Sequence, residues 1–197
     1  ENPYMKWSDV DSSLPDIKIE VYGPPTTSGT RDAFVELVME AACIDMGAFK
    51  IAYPDKDTRK KACHSMREDG HYIEAGENDN LIVQKLTSNP DALGIFGYSF
   101  MVENDKNIQG SAIKGIDPTF ENISDGSYSV SRSLFVYIKE AHVPLKAGLA
   151  DFAAELVSED AAGGFFGYMS EKGLIPLQEQ ELVEMQARAE SLLELAQ

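Results

Sequence analysis

The stretch over residues 17–34, IKIEVYGPPTTSGTRDAF, constrains this chain more than any other. Ile17, Ile19 and Val21 alternate with Lys18, Glu20 and Tyr22, the period-two pattern of a strand with one buried face. Gly23, Pro24 and Pro25 stop that strand. From Arg31 the apolar positions Phe34, Leu37, Val38, Ala41 and Ala42 recur at the spacing of an amphipathic helix packed on a sheet. Strand, tight turn and helix in direct succession imply an α/β layer arrangement.

The rest of the chain extends this pattern. Residues 44–76 are polar and irregular, with a short helix read over 58–66, and GENDNLIVQKL opens another helix with Asn78 or Asn80 as its N-cap. The glycine-spaced apolar run over 93–100 reads as a buried strand against which another backbone packs closely. A second strand is read over 133–138, and the turn-rich segment between the two holds one short strand. The final third is helical, with one stripe at Leu149, Phe152, Ala153, Leu156 and Val157 and another at Leu182, Met185, Ala189, Leu192, Leu193 and Ala196.

A chain of 197 residues, 43% hydrophobic and 25% charged, buries a sizeable core as one large domain or two small ones. No apolar run approaches the roughly 18 residues of a membrane span, and ENPYMKWSDV lacks the basic and apolar blocks of a signal peptide. The expectation is therefore no direct membrane insertion, with any export signal already removed or the chain a piece of something longer. The 33 acidic residues against 17 basic ones give a net charge of −16, which argues against nucleic acid and anionic membranes as partners. A small anion responds to the local field, so the global charge does not exclude it.

Cys43 and Cys63 bond to each other in an oxidising compartment, closing a loop worth about 3 kcal/mol, and remain two buried thiols in a reducing one. A metal reading would recruit His64 and His71, but the spacing matches no usual zinc pattern, and no metal or cofactor is expected. His64, His71 and His142 read as surface or structural groups.

Ser28, Gly29, Thr30 and Arg31, preceded by Thr27, stand where the helix begins. A helix N-terminus presents amides without intrahelical partners and carries roughly half a positive charge. Gly29 allows close approach, Ser28 and Thr30 add hydroxyl donors and Arg31 adds a charged fork, so the junction suits an anion. The plainer reading is that Ser28 or Thr30 only caps the helix. The stretch lacks the lysine of a nucleoside-triphosphate loop, G-x-x-x-x-G-K-[ST]. Ser28 has no histidine or lysine nearby in sequence to activate it as a nucleophile.

YGPPTTSGTRDAFVELVMEAAC, followed by REDGHYIEAGENDNLIVQKL, NPDALGIFGYSF, YSVSRSLFVYIK and GYMSEKGLIPL, resembles in that order the second half of the phosphate-binding proteins of bacterial phosphate ABC transporters. The resemblance runs over residues 7–177. It implies a type II periplasmic binding-protein fold, in which two α/β lobes trap phosphate between them and the second lobe offers an S-G-T motif at a helix N-terminus. Here that motif is Ser28, Gly29 and Thr30. The fold class expected is α/β, type II periplasmic binding-protein-like: a second lobe with a central mixed β-sheet flanked by helices, plus C-terminal helices of the first lobe. Residues 1–16 would be a crossing segment, 17–139 the second lobe and 140–197 helices that pack on a first lobe absent from this chain.

The chain departs from the family at one position of consequence. Many members carry arginine four residues before the motif serine, and Pro24 stands there in this chain. Arg31 is the first candidate to replace that charge, with Arg67 second and Arg132 third. The function implied is a non-enzymatic periplasmic subunit that captures inorganic phosphate and passes it to a membrane permease. Sulfate or molybdate binding is the alternative, followed by a phosphate-ester hydrolase using Ser28.

Overall fold

In the computed structural model, which describes residues 3–163 and 166–196, the alternating segment leads into the central strand of a small sheet. β1 (Val21–Gly23) lies between β2 (Tyr72–Glu74) and β3 (Leu93–Gly94), with Val21 in register with both Tyr72 and Leu93. The expected mixed sheet is in fact parallel in its three strands. Antiparallel pairing among the described residues is confined to the isolated bridges Lys6–Lys18 and Ile113–Ile116. Parallel neighbours require long crossovers, and the helices between the strands supply them.

The chain divides into two compact units, Glu1–Gly110 and Ser111–Gln197. In the first, α1 (Gly29–Phe34) continues through a π-helical stretch, Val35–Glu40, into α2 (Ala41–Asp45). The predicted apolar stripe holds as far as Val38. The wider π turn then advances the phase of the helix, so Cys43 is buried while Ala41 and Ala42 face outward. α3 (Lys56–Cys63) is capped by Asp55, whose carboxylate accepts from the Thr58 amide at 2.9 Å. Cys43 and Cys63 are bonded, Cα to Cα 6.0 Å apart, tying α2 to α3.

The segment read as irregular over 44–76 therefore contains more order than its polarity suggested, including the helix Gly47–Ala52 and the edge strand β2. α4 (Asp79–Ser88) starts at Asn78, whose side chain accepts from the Asn80 amide. Its Ile82 is fully buried and joins Tyr22 and Ala75 in the core, with Ile73, Leu86 and Phe96 against them. The run over 93–100 is not one strand: only Leu93–Gly94 pairs, and α5 (Tyr98–Glu103) begins beyond Gly97. The close approach expected there is made by side chains and not by another backbone: a Cβ at Gly94 would lie 2.6 Å from Leu86 Cδ1.

In the second unit α6 (Leu149–Leu156) packs on α7 (Glu179–Leu195), burying Ala150, Ala153, Leu182 and Ala189. The strand predicted over 133–138 is not formed; residues 131–139 are coil. The short strand expected before it is reduced to the Ile113–Ile116 bridge beside the helix Phe120–Ser124. Among the described residues no helix is long and apolar enough to cross a membrane.

Candidate functional site

All three strand-to-helix connections, residues 24–28, 75–78 and 95–97, leave the carboxyl edge of the sheet. The chain passes from β1 to a neighbour on one side and then to a neighbour on the other. β1 is thus the switch strand, and open α/β sheets place ligands beyond the carboxyl end of such a strand. Residues 27–31 stand there.

Ser28 is the N-cap of α1. Its backbone is extended, its Oγ accepts from the Thr30 amide at 3.2 Å and its carbonyl accepts from the Asp32 amide at 3.2 Å. The capping role foreseen for Ser28 is therefore observed. It does not exhaust the side chain, because a hydroxyl that accepts one hydrogen bond still has its own proton to donate.

Arg31, in the first turn of α1, reaches back over the sheet edge. Its guanidinium lies 5.4 Å from the centre of the Tyr72 ring and its Nη1 donates to Glu74 Oε1. Its side chain is 14% exposed and that of Glu74 50%, so the cation is held while the carboxylate reaches water. Tyr72 is held in turn, since its hydroxyl donates to the Pro24 carbonyl at 2.7 Å. Burial pushes the Tyr72 phenol above its ordinary value, which keeps it a protonated donor.

Gly23 makes this arrangement possible. A Cβ there would sit 2.4 Å from the Tyr72 hydroxyl and 2.7 Å from its ring. Pro24 is fully enclosed, so the position where the resemblance suggests an arginine is packing space. Thr27 donates its hydroxyl to Glu77, and Asp79 accepts from the Gly97 amide at 3.0 Å, linking two of the loops at this edge.

Of the other candidate cations, Arg67 lies elsewhere in the same unit. Arg67 precedes β2 at the amino edge of the sheet. Its Nε bonds Asp69 at 2.9 Å and its Nη1 bonds the Tyr4 carbonyl at 2.9 Å, fastening the N-terminal segment. Arg132 lies in the Ser111–Gln197 unit. His64 bonds Glu40 at 2.8 Å and buried His71 meets the Ile19 carbonyl at 2.6 Å. Among the described residues no base hydrogen bonds to the Ser28 hydroxyl. A groove of about 460 Å³ in this unit is lined by Tyr22, Leu81, Lys85 and Asn89 and by none of residues 27–31.

Tyr72, Glu74 and Glu77 escaped the sequence reading. Their only signal was the short apolar alternation at Tyr72–Glu74, and nothing local says that this strand lies beside β1.

A family model described as a PBP superfamily domain matches residues 4–160. The chain belongs to the PBP superfamily. It is 34% identical over 139 residues to the phosphate-binding protein PstS of Staphylococcus haemolyticus (strain JCSC1435), a match covering 68% of this chain and 35% of that relative. To the PstS of Staphylococcus saprophyticus it is 27% identical over 192 residues, covering 95% of this chain and 50% of the relative. The chain thus spans half or less of the length of these relatives. Among solved structures, a possible phosphate binding protein from Planctomyces limnophilus DSM 3776 superposes with TM-score 0.60 at 28% identity, over 98% of this chain and 60% of that one. PstS from Borrelia burgdorferi, at 17% identity and TM-score 0.53, covers 89% of this chain and 58% of its own and shares the fold. The type II periplasmic binding-protein-like α/β class expected from the sequence is the class of this PBP-superfamily chain.

Proposed function

We propose that this chain carries one side of the ligand site of a phosphate-capturing solute-binding protein, a periplasmic subunit that hands inorganic phosphate to the permease of an ABC importer. The observation that carries the reading is the placement of Ser28, Gly29, Thr30 and Arg31 at a helix start on the carboxyl edge of the switch strand, with the Arg31 guanidinium held over Tyr72. The names of its relatives in the PBP superfamily support phosphate over another oxyanion.

In this proposal the Ser28 and Thr30 hydroxyls and the first-turn amides donate to the anion, Arg31 supplies the charge and Thr27 closes one side. Arg67 is a fastening residue and leaves the ligand set. Residues 17–139 serve as the second lobe, 1–16 as the crossing into it and 140–197 as helices for the other lobe. The role is capture without chemistry, and the anion reaches an acidic surface because charges beyond about 8 Å are screened at physiological ionic strength.

Calorimetric titration with phosphate and with sulfate tests this, on the 197-residue chain and on a chain extended to the length of its relatives. Phosphate should bind the extended chain tightly and this chain more weakly by orders of magnitude, because half a cleft leaves the anion hydrated. Preference for sulfate would sink the phosphate reading. Turnover of a phosphate ester that disappears in Ser28→Ala would replace it with the hydrolase.

A further inference from the structure

The helix that starts at the Ser28 turn changes register part-way along. Between α1 and α2 the stretch Val35–Glu40 is wound as a π-helix, whose amides reach back five residues instead of four. Its sequence, VELVME, holds no glycine or proline, and its glutamates, leucine and methionine favour an ordinary α-helix, so the stretch itself does not call for the wider turn. The hold comes from α3. Cys63, the last residue of α3, is bonded to Cys43. His64, which caps α3, bonds the Glu40 carboxylate at 2.8 Å, and Lys60 lies 3.7 Å from the same carboxylate. Glu40 ends the π stretch and Cys43 stands three residues on, so these fastenings grip one face of the helix just beyond the wide turn.

The wide turn decides which side of α2 looks inward. In an unbroken α-helix two residues eight apart, as Val35 and Cys43 are, point about 80° away from each other. Here both are buried. With the bond open, the stretch is free to take the four-residue register, which turns one end of the helix by about 100° against the other. The first end is the one that yields, because α1 buries no side chain and its Arg31 is placed through its contacts with Tyr72 and Glu74 at the sheet edge. We propose that the Cys43–Cys63 bond, with Glu40 beside it, sets the register of this helix and through it the position of Arg31, so that the chain grips the anion when oxidised and holds it more weakly when reduced. This rests on the phosphate reading of the Ser28 turn. A dithiol opens the bond by two exchanges: each protein sulfur leaves as a thiolate and takes a proton from the reductant, which closes to its own disulfide.

Calorimetry with phosphate on a chain extended to the length of its relatives tests this, with the chain oxidised and then reduced in dithiothreitol. The reduced chain should bind about tenfold more weakly or less tightly still, and reoxidation should restore the affinity. Cys43→Ser with Cys63→Ser should fix the weak state without reductant. Glu40→Ala, with the bond intact, should weaken binding by a smaller factor, and Glu40→Gln, which keeps an acceptor for His64, should recover it. Deleting Glu36, which is exposed and lies in the π stretch, removes the extra residue and lets both ends keep their faces without the clamp. That variant should bind phosphate alike in both redox states. Equal affinity in the oxidised and reduced chains, each folded by circular dichroism, would overturn the proposal, and so would a redox effect that survives the deletion. NMR couplings across the hydrogen bonds read the register without ligand. On reduction the acceptors of the stretch should move from five residues back to four, and unmoved acceptors would overturn the proposal as well. Acceptors that move in a chain whose oxidised form binds no phosphate would bear out the register and sink the phosphate reading instead.

Discussion

Arg31 and Glu74 join the first turn of a helix to the last residue of the neighbouring strand, and the more buried of the two is the cation. An anion arriving at the Ser28 turn meets a guanidinium already oriented by Tyr72 and already sharing its charge with a carboxylate. In the proposed site Glu74 would therefore both position Arg31 and compete with the anion. In a chain extended to the length of its relatives, Arg31→Ala should weaken phosphate binding about ten- to a hundredfold, the cost of one charge-assisted hydrogen bond. Glu74→Gln should tighten binding about five- to tenfold, because a nearby negative charge is removed while an oxygen acceptor remains for Arg31. Calorimetry reads both, and weakened binding in Glu74→Gln would show that its charge serves only to position Arg31.

The structure separates the observed Ser28 cap from the anion contact proposed for Thr30, two roles that the sequence left merged. The cap is the Ser28 hydroxyl accepting from the Thr30 amide, so the Thr30 hydroxyl takes no part in it. Ser28→Ala should lower stability by about 1 kcal/mol in thermal or denaturant unfolding, and weaken binding as well. Thr30→Val keeps the amide and should leave the cap intact. Its effect should fall on phosphate affinity, about ten- to a hundredfold in Kd. Unchanged affinity in Thr30→Val would remove that hydroxyl from the site.

The start of α1 was legible because capping is local: a serine oxygen and an amide two residues on settle it. The Asn78 cap was legible for the same reason. The π stretch was not, since Val35–Glu40 carries an ordinary helical pattern and the extra residue per turn shows only as the inversion of Ala42 and Cys43. The strand read over 133–138 fails for the opposite reason. Its side chains suit a strand, but a strand exists only with a neighbour, and the propensity of Phe135 and Val136 says nothing about whether one is present. The carboxylates of the site were hidden likewise, because parallel pairing brings Glu74 beside Gly23 across half of the first unit's sequence.

The bridge between Cys43 and Cys63 fastens α3 to the end of the helix whose start carries the candidate site. Thiol titration under denaturing, non-reducing conditions should find no free thiol in protein made in an oxidising compartment. Replacing both cysteines with serine should lower unfolding free energy by about 3 kcal/mol in the chain-entropy account. The loss should appear mainly as loosened protection of α3. Two free thiols in oxidised protein would contradict the bond.

Asp69 is held well below the ordinary carboxylate range, at about 2, first by its hydrogen bonds from Arg67 and then by the His71 amide. The ordinary value is 3.8, so the folded chain binds this proton less readily than the unfolded one. The stability contributed by the ionised pair is therefore fully present above about 3.8 and is lost as pH falls through about 2. The same guanidinium donates to the Tyr4 carbonyl, and Met5 next to it accepts from the Ile19 amide at 2.9 Å. Acidification through this window should thus release the N-terminal segment from the sheet edge before the core opens. NMR titration of the Asp69 carboxyl carbon should give a midpoint near 2, and Arg67→Ala should return it towards 3.8. Phosphate affinity at neutral pH should stay unchanged in Arg67→Ala, because the residue stands at the amino edge and the candidate site at the carboxyl edge. A loss of affinity with an unmoved Asp69 midpoint would put Arg67 back in the ligand set.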